Sequence, residues 1–156
     1  MIIRKFNIND TKEIITLIHR NLLEYNIKDY SLKRMIKFAQ EYTIDKIIKI
    51  ATNGNMYVIC DELKIVGCGA IMYNNFLKNE CIILSLFVLP EYHNKGIGKK
   101  IIETLEKDPI SLISKKIIVN ASLSSNIFYE KMGFSYKNNK KIPYLYEYYQ
   151  MEKIIS

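Results

Sequence analysis

The chain has 156 residues, 49% of them hydrophobic and 25% charged, and carries a formal net charge of +7 at pH 7. These proportions are those of a globular domain long enough to bury a core, and they exclude a largely disordered chain. The positive charge permits an anionic ligand or nucleic acid, although a bias toward Lys, Asn and Ile accounts for it as well. Because the lysines are scattered rather than gathered in a basic arm, the pattern disfavours a nucleic-acid-binding protein.

The cysteines and histidines limit the chemistry that the chain can perform. Cys60, Cys68 and Cys81 lie in apolar stretches and form no Cys-x-x-Cys pair, which is typical of reduced thiols in a cytoplasm. With His19 and His93 as the only histidines, we expect no metal site. The N-terminus lacks the apolar core of a signal peptide, and no apolar run approaches the length of a membrane span. We therefore expect a cytoplasmic protein that binds neither membrane nor nucleic acid. We expect it to be a monomer or a homodimer.

The N-terminal third predicts a strand followed by helices. Residues 1–7 read as a strand, and Asn9 or Asp10 can cap a helix whose apolar residues follow helical spacing. Ser31 can cap a second helix, and a third helical piece runs over residues 44–50.

The middle of the chain predicts three consecutive strands. Residues 51–55 predict a turn, and residues 56–61 and 64–73 follow as two strands in a hairpin pattern. Residues 80–90 form a long apolar strand that ends at a proline.

The C-terminal part predicts alternating helices and strands. Asp108 and Pro109 end the first of these helices, and Gly133 closes the second in the C′ position. The elements are, in order, a helix over 96–107, a strand over 115–121, a helix over 124–132, and strands over 134–139 and 146–154.

This order predicts an α/β (α+β) fold with a mixed, mostly antiparallel central sheet of about seven strands flanked by helices. One parallel junction is expected where the helix that begins near Gly96 crosses over the sheet. Because the chain shows no internal repeat, linker or low-complexity tract, it predicts a single domain over residues 1–156.

Gly96 and Gly98 lie between the long apolar strand and the following helix, and they predict an anion site. The amides of a first helical turn have no partners within the helix, and glycine lets the backbone approach a phosphate. The alternative is that the two glycines only allow close packing of helix and strand. The spacing matches neither the Walker loop nor the dinucleotide-binding fingerprint. Gly67 and Gly69 are strand positions that relieve crowding or make room for a ligand.

Two segments resemble the GNAT superfamily of N-acetyltransferases. Residues 84–106 resemble its acyl-coenzyme A binding segment, in which a strand ending Val-x-Pro leads into [RQ]-x-x-G-x-[GA]. This sequence reads His93-Asn94-Lys95-Gly96-Ile97-Gly98 and departs from the signature at His93, where Arg or Gln is usual. Residues 119–134 resemble a later motif of the family. The resemblance covers nearly the whole chain, although the N-terminal half matches only in layout.

The resemblance implies acetyl-coenzyme A as co-substrate, no metal, and a set of binding residues. Side-chain help from His93 is unnecessary if main-chain amides hold the pyrophosphate. The main chain of Leu86, Phe87 and Val88 would contact the pantetheine arm. The pyrophosphate would be held by the turn His93, Asn94, Lys95, Gly96, Ile97, Gly98 and Lys99. Asn120 would bond the pantetheine, the alternative being a turn-forming Asn before a helix, and Tyr129 would lie at the thioester.

The resemblance also implies catalytic residues. Tyr129 occupies the position of the family's tyrosine acid, and a phenol can protonate a departing thiolate; the alternative is a packing role. Some family members carry a carboxylate where this chain has Ile82, so Glu80, one alternation away on the same strand face, is the candidate base. An ordered water is the other candidate.

The acceptor is expected to be a primary amine of a small molecule or peptide. We expect it to contact the helices of residues 10–50, the hairpin with Gly67 and Gly69, and the Tyr-rich residues 142–149. The leading hypothesis is an acetyl-coenzyme A dependent N-acetyltransferase. A non-catalytic acyl-coenzyme A binding sensor is the alternative, and a basic nucleic-acid binder has only the net charge in its favour.

Overall fold

Strands from both ends of the chain join one seven-stranded sheet. The structure is a computed structural model and describes residues 1–74 and 79–155. The sheet runs β1-β2-β3-β4-β5-β7-β6, and only the pair β4–β5 is parallel. The predicted mixed, mostly antiparallel sheet is confirmed. The strands are β1 (Ile2–Lys5), β2 (Asn55–Asp61), β3 (Lys64–Tyr73), β4 (Glu80–Val88), β5 (Lys116–Ala121), β6 (Ser135–Tyr136) and β7 (Tyr149–Ile154).

Six α-helices lie within the described ranges, and the first continues into a π-helical turn, Asn21–Tyr25. Ser31 caps the second helix as predicted, because its Oγ accepts a hydrogen bond from the amide of Arg34 at 3.2 Å. The helices are α1 (Thr11–Arg20), α2 (Leu32–Glu41), α3 (Ile44–Asn53), α4 (Ile97–Glu106), α5 (Pro109–Leu112) and α6 (Asn126–Lys131).

Helices pack on both faces of the sheet. On one face, α4 buries Ile101 and Leu105 against β3 so closely that a Cβ on Gly69 would lie 2.6 Å from Ile101. Side chains alternate between the faces of a strand, so Phe87, which pairs with Cys68, points to the other face. There its ring contacts Tyr42, just after α2, with centroids 6.0 Å apart.

The predicted cap of the first helix is wrong. Asn7 accepts a hydrogen bond from the amide of Asn9 at 2.9 Å and begins a short 3-10 turn before α1. Asp10 does not cap α1, because its carboxylate accepts hydrogen bonds from the guanidinium of Arg4 and from the amide of Asn7. These bonds tie α1 to β1.

The predicted turn over residues 51–55 is also wrong. Helix α3 continues to Asn53, and β2 begins two residues later. The intervening Gly54 has extended dihedrals, so it is not needed for a turn. A Cβ there would lie 2.2 Å from the carbonyl oxygen of Ile71, and only glycine fits so close to β3.

The C-terminal strands are shorter than predicted. Beyond β6 the chain forms a 3-10 turn in which Asn138 and Asn139 have positive φ, and before β7 Leu145 and Tyr146 do so as well. Two consecutive left-handed residues interrupt the extended backbone that a strand ladder needs. Gly133 has φ +92° after α6, which confirms its predicted C′ position.

Candidate active site

A wedge opens in the middle of the sheet between β4 and β5. The two strands pair only over Glu80–Ile82 and Lys116–Ile118. Beyond this point β4 stays paired with β3 as far as Val88, and β5 stays paired with β7 as far as Ala121. Their facing edges therefore separate, and unpaired strand edges offer peptide groups to an extended ligand.

Ser85 marks a bulge in β4 at the start of the wedge. Its φ is +52°, and the β3–β4 register shifts beside it. The hydroxyls of Tyr42 and Ser85 share a hydrogen bond of 3.0 Å, and the thiol of Cys68 donates to the Ser85 carbonyl at 3.3 Å. A non-glycine residue held at positive φ costs about 1–3 kcal/mol and is typical of functional sites. The bulge changes which way residues 86–88 face.

The chain turns sharply between β4 and α4. Asn94 and Gly96 have φ of +60° and +78°, and α4 begins at Ile97. A Cβ on Gly96 would meet no atom within 4 Å, so this glycine faces open space beside the free amides of the first helical turn. His93 braces the turn, because its Nε2 donates to the carbonyl of Val88 at 2.7 Å while its ring packs edge-on against Tyr25.

Gly98 serves a different purpose from Gly96. A Cβ at position 98 would lie 3.1 Å from the ring of Phe128 on α6. The anion-site and packing interpretations of the glycine pair therefore each apply to one residue: Gly96 supplies the left-handed turn and the open space, and Gly98 allows the close contact between α4 and α6.

One large cleft, of about 1390 Å³, brings most of the predicted residues together. Lys95 does not line it, and its ammonium lies 5.0 Å from the centre of the Tyr92 ring. Glu80 does not line it either. The predicted residues that do line the cleft are Leu86, Phe87, Val88, His93, Asn94, Gly96, Ile97, Gly98, Lys99, Asn120 and Tyr129.

Tyr129 lies in the wall of this cleft with 6% of its surface exposed. Its ring packs edge-on against Phe128 and Phe134, and within the described part of the chain its phenol makes no hydrogen bond. Burial raises the pKa of Tyr129 well above its ordinary value of 10. The phenol therefore stays protonated at neutral pH and is free to donate a hydrogen bond into the cleft.

Glu80 lines a second, smaller cavity of about 240 Å³. Its carboxylate lies 3.2 Å from the ammonium of Lys116, which lies 3.1 Å from Glu152. The two cavities share Val119 and Asn120 in their walls, so they meet at the end of β5. The structure thus separates Glu80 from Tyr129 but leaves the two cavities adjoining.

The region between α1 and α2 spans the mouth of the wedge. Tyr30 donates to the carbonyl of Glu147 at 2.6 Å and accepts from the amide of Leu123 at 3.3 Å. The guanidinium of Arg34 lies 3.1 Å from the Glu147 carboxylate, and Asp29 accepts from the amide of Ser124 at 3.1 Å. These contacts join the helical region, the loop after β5 and the segment before β7.

The predicted acceptor region is therefore partly wrong. Residues of α2 and of the segment before β7 line the cleft, as expected. Gly67 and Gly69 do not, because α4 covers them: a Cβ on Gly67 would lie 3.1 Å from Ile101. Sequence reasoning missed the ion pair of Arg34 with Glu147, and no local pattern signals it, because the two residues are far apart in the chain.

Neither a cluster of metal ligands nor a membrane-spanning helix is present among the described residues. Within residues 1–74 and 79–155, no group of three or more His, Cys, Asp or Glu side chains is placed to hold a metal ion. No helix in the same ranges is long and apolar enough to cross a membrane.

Comparison with protein families and curated proteins finds acetyltransferases. The family model for the acetyltransferase (GNAT) domain matches residues 52–136. A glucosamine 6-phosphate N-acetyltransferase of Arabidopsis thaliana is 26% identical over 144 residues, which cover 87% of this chain and 91% of the relative. Its counterpart from Schizosaccharomyces pombe is 33% identical over 85 residues, covering 50% of this chain and 77% of the relative.

Comparison with solved structures finds the same fold. The PaiA N-acetyltransferase of Thermoplasma acidophilum, in complex with coenzyme A, superposes with a TM-score of 0.84 at 20% identity, over 99% of this chain and 98% of that one. An aminoglycoside 6′-N-acetyltransferase complexed with coenzyme A superposes with a TM-score of 0.75 at 15% identity, over 100% and 98% of the two chains.

Proposed function

Because the chain belongs to the GNAT family and is an acetyl-coenzyme A dependent N-acetyltransferase, we propose that it acetylates the primary amine of a small molecule at the wedge between β4 and β5. The observation that carries this proposal is the separation of two neighbouring strands directly beside a left-handed glycine turn. The gap offers an extended arm a strand edge, and the turn offers a phosphate free amides.

The residues present fit acetyl-coenzyme A. The main chain of residues 86–88 would pair with the pantetheine arm along the unpaired edge of β4. The amides of residues 93–99 would hold the pyrophosphate, since Gly96 leaves open space beside them. The side chain of Asn120, exposed at the end of β5, is within the same cleft and would bond the pantetheine.

The residues of the cleft wall suit acetyl transfer. Acetyl-coenzyme A supplies the acetyl group as a thioester, and the carbon–sulfur bond breaks as the carbon–nitrogen bond forms. Tyr129 gives its proton to the departing sulfur, and the nitrogen loses a proton as it becomes the amide, which restores the phenol. Burial raises the pKa of Tyr129, which keeps the phenol protonated at neutral pH but makes it a weaker acid. The acceptor ammonium must lose a proton before it reacts. Glu80 in the adjoining cavity, or an ordered water, accepts that proton. Water would have to carry the proton to Glu80, because Glu80 lies beside Lys116 at the start of β5 and Asn120 lies near its end.

Two observations favour a small acceptor. The contacts of Tyr30 and Arg34 with Glu147 enclose the mouth of the cleft, which limits access for a folded protein. The curated relatives are named for glucosamine 6-phosphate, so that amine is the first to test. The family model and the curated relatives are acetyltransferases, which favours an enzyme over a non-catalytic sensor.

A panel of primary amines with detection of the released thiol tests the proposal. Glucosamine 6-phosphate, other amino sugars, polyamines and short peptides are compared with a reaction that lacks amine, and mass spectrometry identifies the acetylated product. At least one small amine should raise thiol release, and Tyr129→Phe should suppress that increase. Tight acetyl-coenzyme A binding with no increase for any amine would contradict the proposal.

A further inference from the structure

The smaller cavity lies directly beside the proposed transfer centre. It is formed by side chains on one face of β4, β5 and β7, where Ile118 pairs with Glu152 and Asn120 pairs with Gln150. Val119 and Met151, which alternate with these residues along the strands, are buried and also contribute to the wall of the cavity. Because Asn120 lines both cavities, a molecule in the smaller one extends toward the end of the wedge.

The ion pairs in this cavity are more enclosed than ordinary surface charges. Lys116 lies between Glu80 and Glu152, at 3.2 and 3.1 Å, and the three side chains are 25–30% exposed. The two carboxylates raise the pKa of Lys116, so it remains an ammonium. The network holds the carboxylate oxygens and the ammonium in fixed positions around the cavity, where they can meet a ligand without reorganising.

The lining indicates the chemistry of the ligand. Two carboxylates accept hydrogen bonds, two lysines donate them, and Asn120 and Gln150 do both. Hydroxyl groups also donate and accept, so a hydroxylated aliphatic body matches this lining. No aromatic side chain is among the described residues that line the cavity, which leaves an aromatic amine without a stacking partner. A volume of 240 Å³ equals that of roughly eight water molecules, enough for a single sugar ring.

We propose that this cavity is the acceptor subsite and that it holds the hydroxylated body of an amino sugar, whose amine points past Asn120 into the cleft. The inference rests on the proposed function. Lys137 completes the subsite: it lines the cavity, and among residues 1–74 and 79–155 its ammonium has no ion-pair partner. It would contact an anionic substituent such as a phosphate on the sugar.

Two matched pairs of variants test the subsite. Glu152→Gln removes one carboxylate beside Lys116. Its control is Glu106→Gln, which removes a carboxylate from the ion pair with Lys153, also about one-quarter exposed. Lys137→Ala removes the unpaired ammonium, with the exposed neighbour Lys140→Ala as its control.

Glu152→Gln should raise the KM for glucosamine about ten-fold or more, as expected for loss of a charged hydrogen bond. The KM for cyclohexylamine, which lacks hydroxyls, and the affinity for acetyl-coenzyme A should change less than about two-fold. Lys137→Ala should weaken the binding of glucosamine 6-phosphate but not the binding of glucosamine. Equal effects on both amines, or the same effect from Glu106→Gln, would overturn the subsite.

Binding measured by saturation-transfer NMR on the coenzyme A complex keeps this test separate from catalysis. If no amine is acetylated, the proposed function fails, but glucosamine should still bind the wild type and bind Glu152→Gln more weakly. If glucosamine is acetylated and its binding is the same in both proteins, the transferase function stands and the subsite is wrong.

Discussion

Gly98 and Phe128 are in direct contact, so closely that a Cβ on Gly98 would lie 3.1 Å from the ring. The first residue belongs to the helix after the left-handed turn at Gly96, and the second to the helix that carries Tyr129. The contact makes these two helices one wall of the cleft, so the proposed pyrophosphate site and the proposed acid are held at a fixed separation.

The Gly96→Asp variant should lose acetyl-coenzyme A binding while it keeps its fold. Asp adds a negative charge where the pyrophosphate is expected, but a Cβ at this position meets no atom within 4 Å. Gly96→Asn is the matched control, because Asn has the same shape, tolerates positive φ and carries no charge. Calorimetric titration and melting curves should show abolished binding for Asp, weakened binding for Asn, and similar melting temperatures. An Asp variant that binds like wild type would place the pyrophosphate elsewhere.

The His93→Gln variant should be nearly neutral. His93 donates to the Val88 carbonyl at 2.7 Å, and a glutamine amide can donate the same bond. His93→Ala removes the donor together with the packing against Tyr25 and should loosen the turn. We expect the acetyl-coenzyme A dissociation constant to stay within about two-fold for Gln and to rise about ten-fold for Ala. Equal losses in both variants would assign the imidazole a direct role in binding.

The Tyr129→Phe variant should bind acetyl-coenzyme A within a few-fold of wild type and turn over roughly two to four orders of magnitude more slowly. The phenyl ring keeps the edge-on contacts with Phe128 and Phe134 and loses only the hydroxyl. Because burial raises the pKa of Tyr129, its deprotonation should cause no fall in the wild-type rate below about pH 10. Full turnover in the variant would return Tyr129 to a packing role.

The same variant should alter the alkaline stability of the protein. A raised pKa in the folded state means that the unfolded phenol ionises first, near pH 10, while the folded one stays neutral. Tyr129 therefore contributes stability below pH 10 that is lost as pH rises, by up to about 1.4 kcal/mol per pH unit. Urea unfolding between about pH 8 and 11 should show a steeper decline for wild type than for Tyr129→Phe. Since all other tyrosines are common to both proteins, parallel declines would mean that the pKa of Tyr129 is not raised.

Local sequence patterns predicted the strands, most helices and the turn that leads into α4, because these depend on neighbours in the chain. The alternation of β4 also placed Glu80 on one face with Ile82 and Leu84. It could not reveal that Lys116 pairs with Glu80, since that contact depends on the parallel register of β4 and β5.

The contacts that enclose the cleft have no local pattern. Tyr30 and Glu147 are 117 residues apart and meet only in the folded chain. The sequence likewise left two purposes open for Gly67 and Gly69, crowding or ligand access. The close approach of Ile101 in α4 shows that these glycines relieve crowding. Such a packing distance depends on the whole sheet.

The separation of β4 and β5 has a consequence for the lifetime of the protein. Without its ligand, the sheet has unpaired strand edges where β4 and β5 separate. Unpaired edges can pair with other chains, and their amide hydrogens exchange fast. Acetyl-coenzyme A would act as the missing strand, and a ligand at 100 times its dissociation constant adds about 2.7 kcal/mol to stability. We therefore expect amides 86–88 to exchange more slowly when the coenzyme is present, and the protein to survive longer against proteolysis. The supply of acetyl groups would then set how much of this enzyme persists as well as how fast it works.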